Sequence, residues 1–151
     1  MARYHFRLSS LLTYRENVRD QCRQVFAEWL TRDAALVAEQ QRLDQEREQQ
    51  LDEMRSEQLG SHGLSVDRLA SRRYRIGQLT AMHQGLTRQR QEIAVQMEQC
   101  RRALVQADQQ VKVLERLSDT QRAEFLHRED AKESREREEI WQAGRGRGMT
   151  S

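Results

Sequence analysis

QLGSHGLSVD, Gln58 to Asp67, lies between two long stretches of a chain that contains no proline. What this segment does to the chain decides the fold. Gly60 suits the left-handed conformation that commonly closes a helix. Ser65 can cap a second helix by accepting from one of its first backbone N–H groups, although Arg68 stands where a capping-box Glu would be preferred. The segment therefore reads as helix stop, turn and helix start. A connection this short leaves the second helix only an antiparallel path back along the first.

The flanking stretches agree. In the second helix one series runs Ile76, His83, Arg90, Met97, Leu104, Val111, and its companion three residues on runs Leu79, Leu86, Ile93, Cys100, Ala107, Leu114. In the first helix the series are Leu8, Arg15, Cys22, Trp29, Leu36, Leu43, and Leu11, Val18, Val25, Arg32, Glu39, weakening beyond Leu43. Apolar residues at this spacing form the narrow seam of a coiled coil. With the turn at Gly60–Gly63, facing residues have numbers summing to about 122. Leu8 then faces Leu114, Leu11 faces Val111, Cys22 faces Cys100 and Leu43 faces Leu79, so two stripes found separately interlock. The same arithmetic sets Arg32 against Arg90 and Glu39 against His83, and those layers should be weak. Gly77 and Gly85 fall in the same third, where bending is expected. A parallel homodimer through the second helix is the competing architecture, but it leaves the first helix's stripe unexplained.

The expected fold is all-α: a long antiparallel two-helix coiled-coil hairpin with an overhanging C-terminal helix. Helix 1 covers about 7–59, the turn 60–64 and helix 2 about 65–143, with 144–151, rich in glycine, as a disordered tail. At 1.5 Å per residue the second helix outruns the first by roughly 25 residues. The stretch FRLSSLLTYRE, Phe6 to Glu16, then lies against VKVLERL, Val111 to Leu117, where Phe6 and Leu12 cover the open end of the seam.

Composition is consistent with this. Apolar residues are 36%, charged residues 33% and aromatics 5%, with 19 glutamines, which is too little apolar material for a thick core. Net charge is +2, so the molecule is no polycation, but residues 68–102 carry eight Arg against two Glu. That stretch is either a contact surface for an acidic partner or a solvated helix face. Neither a signal peptide nor a membrane span is evident, and the two cysteines lack metal-type spacing, so a soluble cytoplasmic protein without membrane insertion is expected. Cys22 and Cys100 read as small seam residues, and mild oxidant should join them within one chain. The four histidines are scattered, no phosphate loop or nucleophile–base pair exists, and a two-helix rod offers no pocket. No catalytic residue, metal or cofactor is therefore assigned. Two Arg-Gly steps in the tail are weak grounds for RNA binding. Ile140 and Trp141, large apolar residues in a charged overhang, mark a possible contact site.

The chain resembles the FliJ family, a soluble component of flagellar type III protein export. The likeness rests on Phe6, Leu8, Leu11, Leu12, Tyr14, Arg15 and Glu16, similar to the family's F-x-L-x-x-L-L-x-Y-R-E start. It rests also on Leu104, Ala107, Lys112, Leu114, Glu115 and Leu117 of RRALVQADQQVKVLERL, and on Phe125 followed by the Glu/Arg run that ends at Glu138 and Glu139. The Asp-Glu pair usual near the family's C-terminus is missing. The resemblance implies a non-enzymatic stalk, monomeric when free, whose end carrying both termini binds the hexameric export ATPase. On this chain those contacts would be Phe6, Leu8, Leu11, Leu12, Tyr14, Arg15, Lys112, Leu114, Glu115, Leu117 and Phe125. It further implies contact with the export-gate membrane protein, here near Tyr74, Ile76 and Leu79, and with export chaperones. The implied location is cytoplasmic, peripheral to the inner-membrane apparatus, with no nucleic acid bound. The stalk of a virulence type III secretion system and an RNA-binding coiled coil are the alternatives.

Overall fold

A computed structural model of the chain describes residues 2–60 and 65–148. Two helices account for nearly all of them: α1, Ser9–Leu59, and α2, Val66–Gly148. They pack against each other in antiparallel fashion, as the hairpin reading requires. Ser65 caps α2, its hydroxyl accepting from the Arg68 N–H at 3.4 Å while its carbonyl accepts from Leu69 at 3.1 Å. Residues 61–64, the tip of the expected turn, lie outside the described residues. The left-handed conformation expected of Gly60 does not occur, since no described residue has positive φ.

The chain forms two compact units. Unit 2, Gln21–Leu104, holds the later part of α1 against the earlier part of α2. Leu43 and Leu79, set opposite each other by the turn arithmetic, are both 1% exposed. Along α2 both predicted series turn inward; every member of unit 2 is buried or half-buried. Along α1 the first series also turns inward, but its companion does so only at Val18 and Glu39, both half-buried. Val25 and Arg32 are exposed, and the inward stripe is the one a residue later: Phe26, Asp33 and Gln40. The expected weak layers disappear with this change. Arg90 meets Asp33 (2.9 Å) instead of Arg32, and His83 meets Asp44 (3.4 Å) instead of Glu39.

Toward the turn the seam becomes polar. Arg72 donates to Glu57 at 2.7 Å and Gln50 at 3.1 Å and also pairs with Glu53, while Arg75 donates to Glu46 at 2.7 Å. The Arg72 hydrogen bonds hold the Glu57 carboxyl below the usual carboxylate range. Leu51 and Met54 are only half-buried and Leu59 is exposed, as their drift from the heptad implied.

α2 continues unbroken through Gly77 and Gly85. A methyl group added at either would meet nothing within 4 Å. Alanine at each position should therefore stabilise the helix by about 1 kcal/mol without a steric cost. The double variant Gly77→Ala, Gly85→Ala is expected to raise the thermal midpoint by roughly 5 °C. A midpoint unchanged or lowered in a calorimetric scan would show that the glycines serve a conformation other than this unbroken helix.

Unit 1 combines residues up to Asp20 with those from Val105 onward. Its interior is small: Phe6, Ala107, Val111 and Leu114, with Leu8 and Leu12 half-buried. Ala107, Val111 and Leu114 fall on one face of α2 by their spacing of four and three. Beyond Ala131 the helix is exposed on all sides, which is the expected overhang. It does not stop at Ala143 but runs to Gly148, five residues into the expected tail. Arg145 contributes there, its guanidinium lying 4.7 Å from the Trp141 ring centroid one turn earlier. Among the described residues, no helix is long and apolar enough to cross a membrane.

Candidate functional site

The strongest candidate surface lies on unit 1. Before α1 begins, residues 2–8 are not helical; the Ser9 N–H donates to the Phe6 carbonyl at 3.1 Å, making a turn that feeds the chain into the helix. This turn puts Phe6 inward, where it is 7% exposed, and it frees Tyr4 to reach α2. The Tyr4 hydroxyl donates to the Ser118 carbonyl at 3.0 Å, and its ring lies 5.7 Å from that of Phe125, tilted by 48°. Such tilted aromatic pairs are favourable beyond the area they bury. Nearly two turns into α1, Arg15 donates to the Gln110 side chain at 2.7 Å, with its guanidinium 5.8 Å from the Tyr14 ring. The N-terminal segment is thus tied to α2 at both ends of a buried apolar patch.

The expected contact residues divide into two sets. Phe6, Leu8, Leu12, Leu114 and Phe125 hold the segment to α2, and Arg15 braces it. The second set faces outward. Leu11 is 38% exposed and Tyr14 is 59% exposed, with Leu117, Lys112 and Glu115 exposed on α2. Leu11 is therefore not the seam residue that the heptad reading made it. It lines a shallow groove of about 450 Å3 together with Arg15, Gln106, Gln110, Val113 and Leu114. The Lys112 ammonium pairs with Asp108 at 2.9 Å on its own helix. An exposed apolar group, Leu11, Val113 and Leu117, is thereby framed by glutamine amides and a fixed arginine. That composition suits a polypeptide contact better than a small molecule.

Several residues of this end escaped the sequence reading: Tyr4, Gln110, Val113 and Ser118. Tyr4 alone carried a signal, an aromatic two residues ahead of Phe6. The Ser118 contact uses a backbone carbonyl, which no side-chain pattern can announce.

The second expected contact, in unit 2, is reduced by the structure. Tyr74 is well exposed, Ile76 is half-buried, and Leu79 is core. Leu79 cannot touch a partner without unfolding its layer. The arginine-rich stretch 68–102 is also less available than its composition suggested. Arg72, Arg75 and Arg90 are bound to acids of α1, and Arg101 and Arg102 share Glu98, whose carboxyl their hydrogen bonds pull down to about 2. Unit 2 as a whole holds thirteen Arg against twelve acidic residues, a net charge of +1. Among the described residues, no cluster of His, Cys, Asp or Glu could hold a metal ion.

Comparison with known proteins returns one family. The family model described as Flagellar FliJ protein matches residues 4–146. No curated protein and no solved structure matches the chain.

Proposed function

The chain belongs to the FliJ family of flagellar proteins, and from that premise we propose that it is the stalk-like component of flagellar type III export that binds the export ATPase through unit 1. The match spans residues 4–146, nearly the whole chain, and supports extending the family's role in flagellar export to it. The role is non-enzymatic: the chain acts by binding.

One observation carries the assignment of the ATPase contact to unit 1. The N-terminal segment is fastened to α2 by Phe6, Tyr4 and Arg15, and this fastening leaves Leu11, Tyr14, Val113 and Leu117 facing outward. Those side chains are large, apolar and held by buried neighbours, which is how interface anchors are built. The hexameric ATPase is the partner whose central opening such an end would fit. The exposed overhang from Lys132 onward, with Ile140 and Trp141, extends the same unit and supplies further surface for export chaperones. Toward the gate membrane protein the contact would be made by Tyr74, the exposed residue of the expected trio. On this reading the protein works in the cytoplasm, at the periphery of the inner-membrane apparatus. The pairing of five of the eight arginines of 68–102 with acids of this chain argues against nucleic acid as a ligand, because phosphate binding draws on unpaired Lys and Arg.

The test is stimulation of the cognate export ATPase by the purified chain and by Leu11→Asp. Since Leu11 is partly exposed, this substitution should leave the thermal midpoint nearly unchanged. Loss of an interface anchor costs about 1–2 kcal/mol or more, so the concentration giving half-maximal stimulation should rise about tenfold. Full stimulation by Leu11→Asp at the parent's concentration would move the contact away from this groove.

A further inference from the structure

Away from the turn, the seam of unit 2 contains a layer built from polar groups, and its wiring is complete. Gln40 is 8% exposed, the one buried polar side chain among the described residues. Its amide nitrogen donates to the Thr87 hydroxyl at 2.9 Å, and its amide oxygen accepts from Arg90 at 3.3 Å. Thr87 can accept because its own proton goes to the His83 carbonyl, 3.1 Å away. Arg90 also grips Asp33 with two nitrogens, at 2.9 and 3.3 Å. No buried side-chain nitrogen or oxygen in the described residues lacks a partner.

This layer matters because α1 presents two stripes that could fill the same half of the seam. Both flank the shared series Cys22, Trp29, Leu36 and Leu43. One is Phe26, Asp33, Gln40, which faces α2. The other, one residue earlier at every step, is Val25, Arg32, Glu39. In unit 2 it lies farther out: Val25 and Arg32 are exposed, with the Arg32 guanidinium 4.7 Å from the Trp29 ring centroid, and half-buried Glu39 is paired with Arg42 at 2.6 Å. Each stripe carries one apolar residue and two polar ones, so hydrophobic burial barely separates them. What separates them is Arg90. With the observed stripe it meets a carboxylate and an amide oxygen, and with the other it would meet Arg32, a like charge. Buried or half-buried polar groups at a coiled-coil seam are known to select register in this way at little gain in stability.

We propose that Arg90, with Asp33, Gln40 and Thr87, is the register key of unit 2, holding α1 in the alignment that buries Phe26 and exposes Val25. Without the key, α1 has a second alignment of comparable stability, turned so that Val25 enters the seam. The inference rests on unit 2 alone and stands apart from the function proposed for unit 1.

The test reads which stripe faces water. In the full chain with Cys22→Ala and Cys100→Ala, Val25→Cys places a single thiol at the exposed position, and its reaction with a thiol reagent should be fast and single-phase. Adding Arg90→Leu should keep the helix signal in circular dichroism. It should also slow the reaction at least twofold, or split it into fast and slow phases, as molecules take the second alignment. Adding Asp33→Leu to Arg90→Leu makes the observed stripe the more apolar one and should return the fast single phase. An unchanged rate on Arg90→Leu would overturn the proposal. So would loss of helix in that variant, because Arg90 would then be a stability element and not a selector.

Discussion

Val111→Asp should detach the N-terminal segment from α2 and abolish the ordered interior of unit 1. Val111 is 0% exposed and stands in the middle of the buried apolar face of α2 there, between Ala107 and Leu114. A carboxylate at that position would be fully buried, with Ala107 and Leu114 about one turn to either side on the same face. Such burial typically costs several kcal/mol, which exceeds what a patch of so few buried residues supplies at about 1.5–3 kcal/mol each. The Tyr4–Ser118 and Arg15–Gln110 hydrogen bonds cannot compensate, since each contributes about 1 kcal/mol. In hydrogen exchange, amides of residues 9–20 should lose protection, while those around Leu43 and Leu79 keep theirs. Protection across 9–20 equal to the parent's would mean the segment is held by something other than this face.

Leu79→Ala should be the most damaging truncation in unit 2. The side chain is 1% exposed and shares its layer with Leu43, equally buried. Removing it forfeits burial and leaves a cavity, together about 2–5 kcal/mol. The neighbouring layers cannot close the gap readily, because toward the turn the seam is held by the Arg72 and Arg75 ion pairs, whose geometry would have to break. Leu43→Ala should cost as much alone, and the double variant less than the two together, because the cavities merge. Urea denaturation of the three variants measures this. A loss below 1 kcal/mol for Leu79→Ala would contradict the packing described. The same measurement bears on partner binding: any defect of Leu79→Ala toward the export gate would follow from lost folding, since the side chain is not at the surface.

Much of the fold was legible because α2 carries an almost uninterrupted apolar heptad. Leu79, Ala107, Val111 and Leu114 were all placed inward by spacing alone, and Ser65 announced the start of the helix. α1 was harder. Leu11, Val18 and Val25 form a respectable apolar series, and hydropathy ranks it above a stripe containing Asp33 and Gln40. The structure prefers the latter because Arg90 and Thr87 satisfy those polar groups across the seam, a gain no one-helix pattern contains. The same misreading buried Leu11, which is a surface residue, and so hid the groove beside it. At the far end, three glycines suggested a tail, yet helix persists to Gly148 where Arg145 packs on Trp141. The unit 1 site was half visible: its anchors were apolar and spaced, but Tyr4 acts through a backbone carbonyl.

The return of α2 along α1 underlies every assignment made to the two units, and the chain's own cysteines can test it. Cys22 and Cys100, the two cysteines of the sequence, are unpaired and half-buried in unit 2. In the hairpin they stand on facing helices within a few residues of the same level. In a parallel dimer they would be roughly 117 Å apart along one chain at 1.5 Å per residue. A short bis-maleimide applied to dilute protein, followed by peptide mass spectrometry, should yield a Cys22–Cys100 link within a monomer. A product dominated by Cys22–Cys22 and Cys100–Cys100 links between chains would contradict the hairpin and everything built on it.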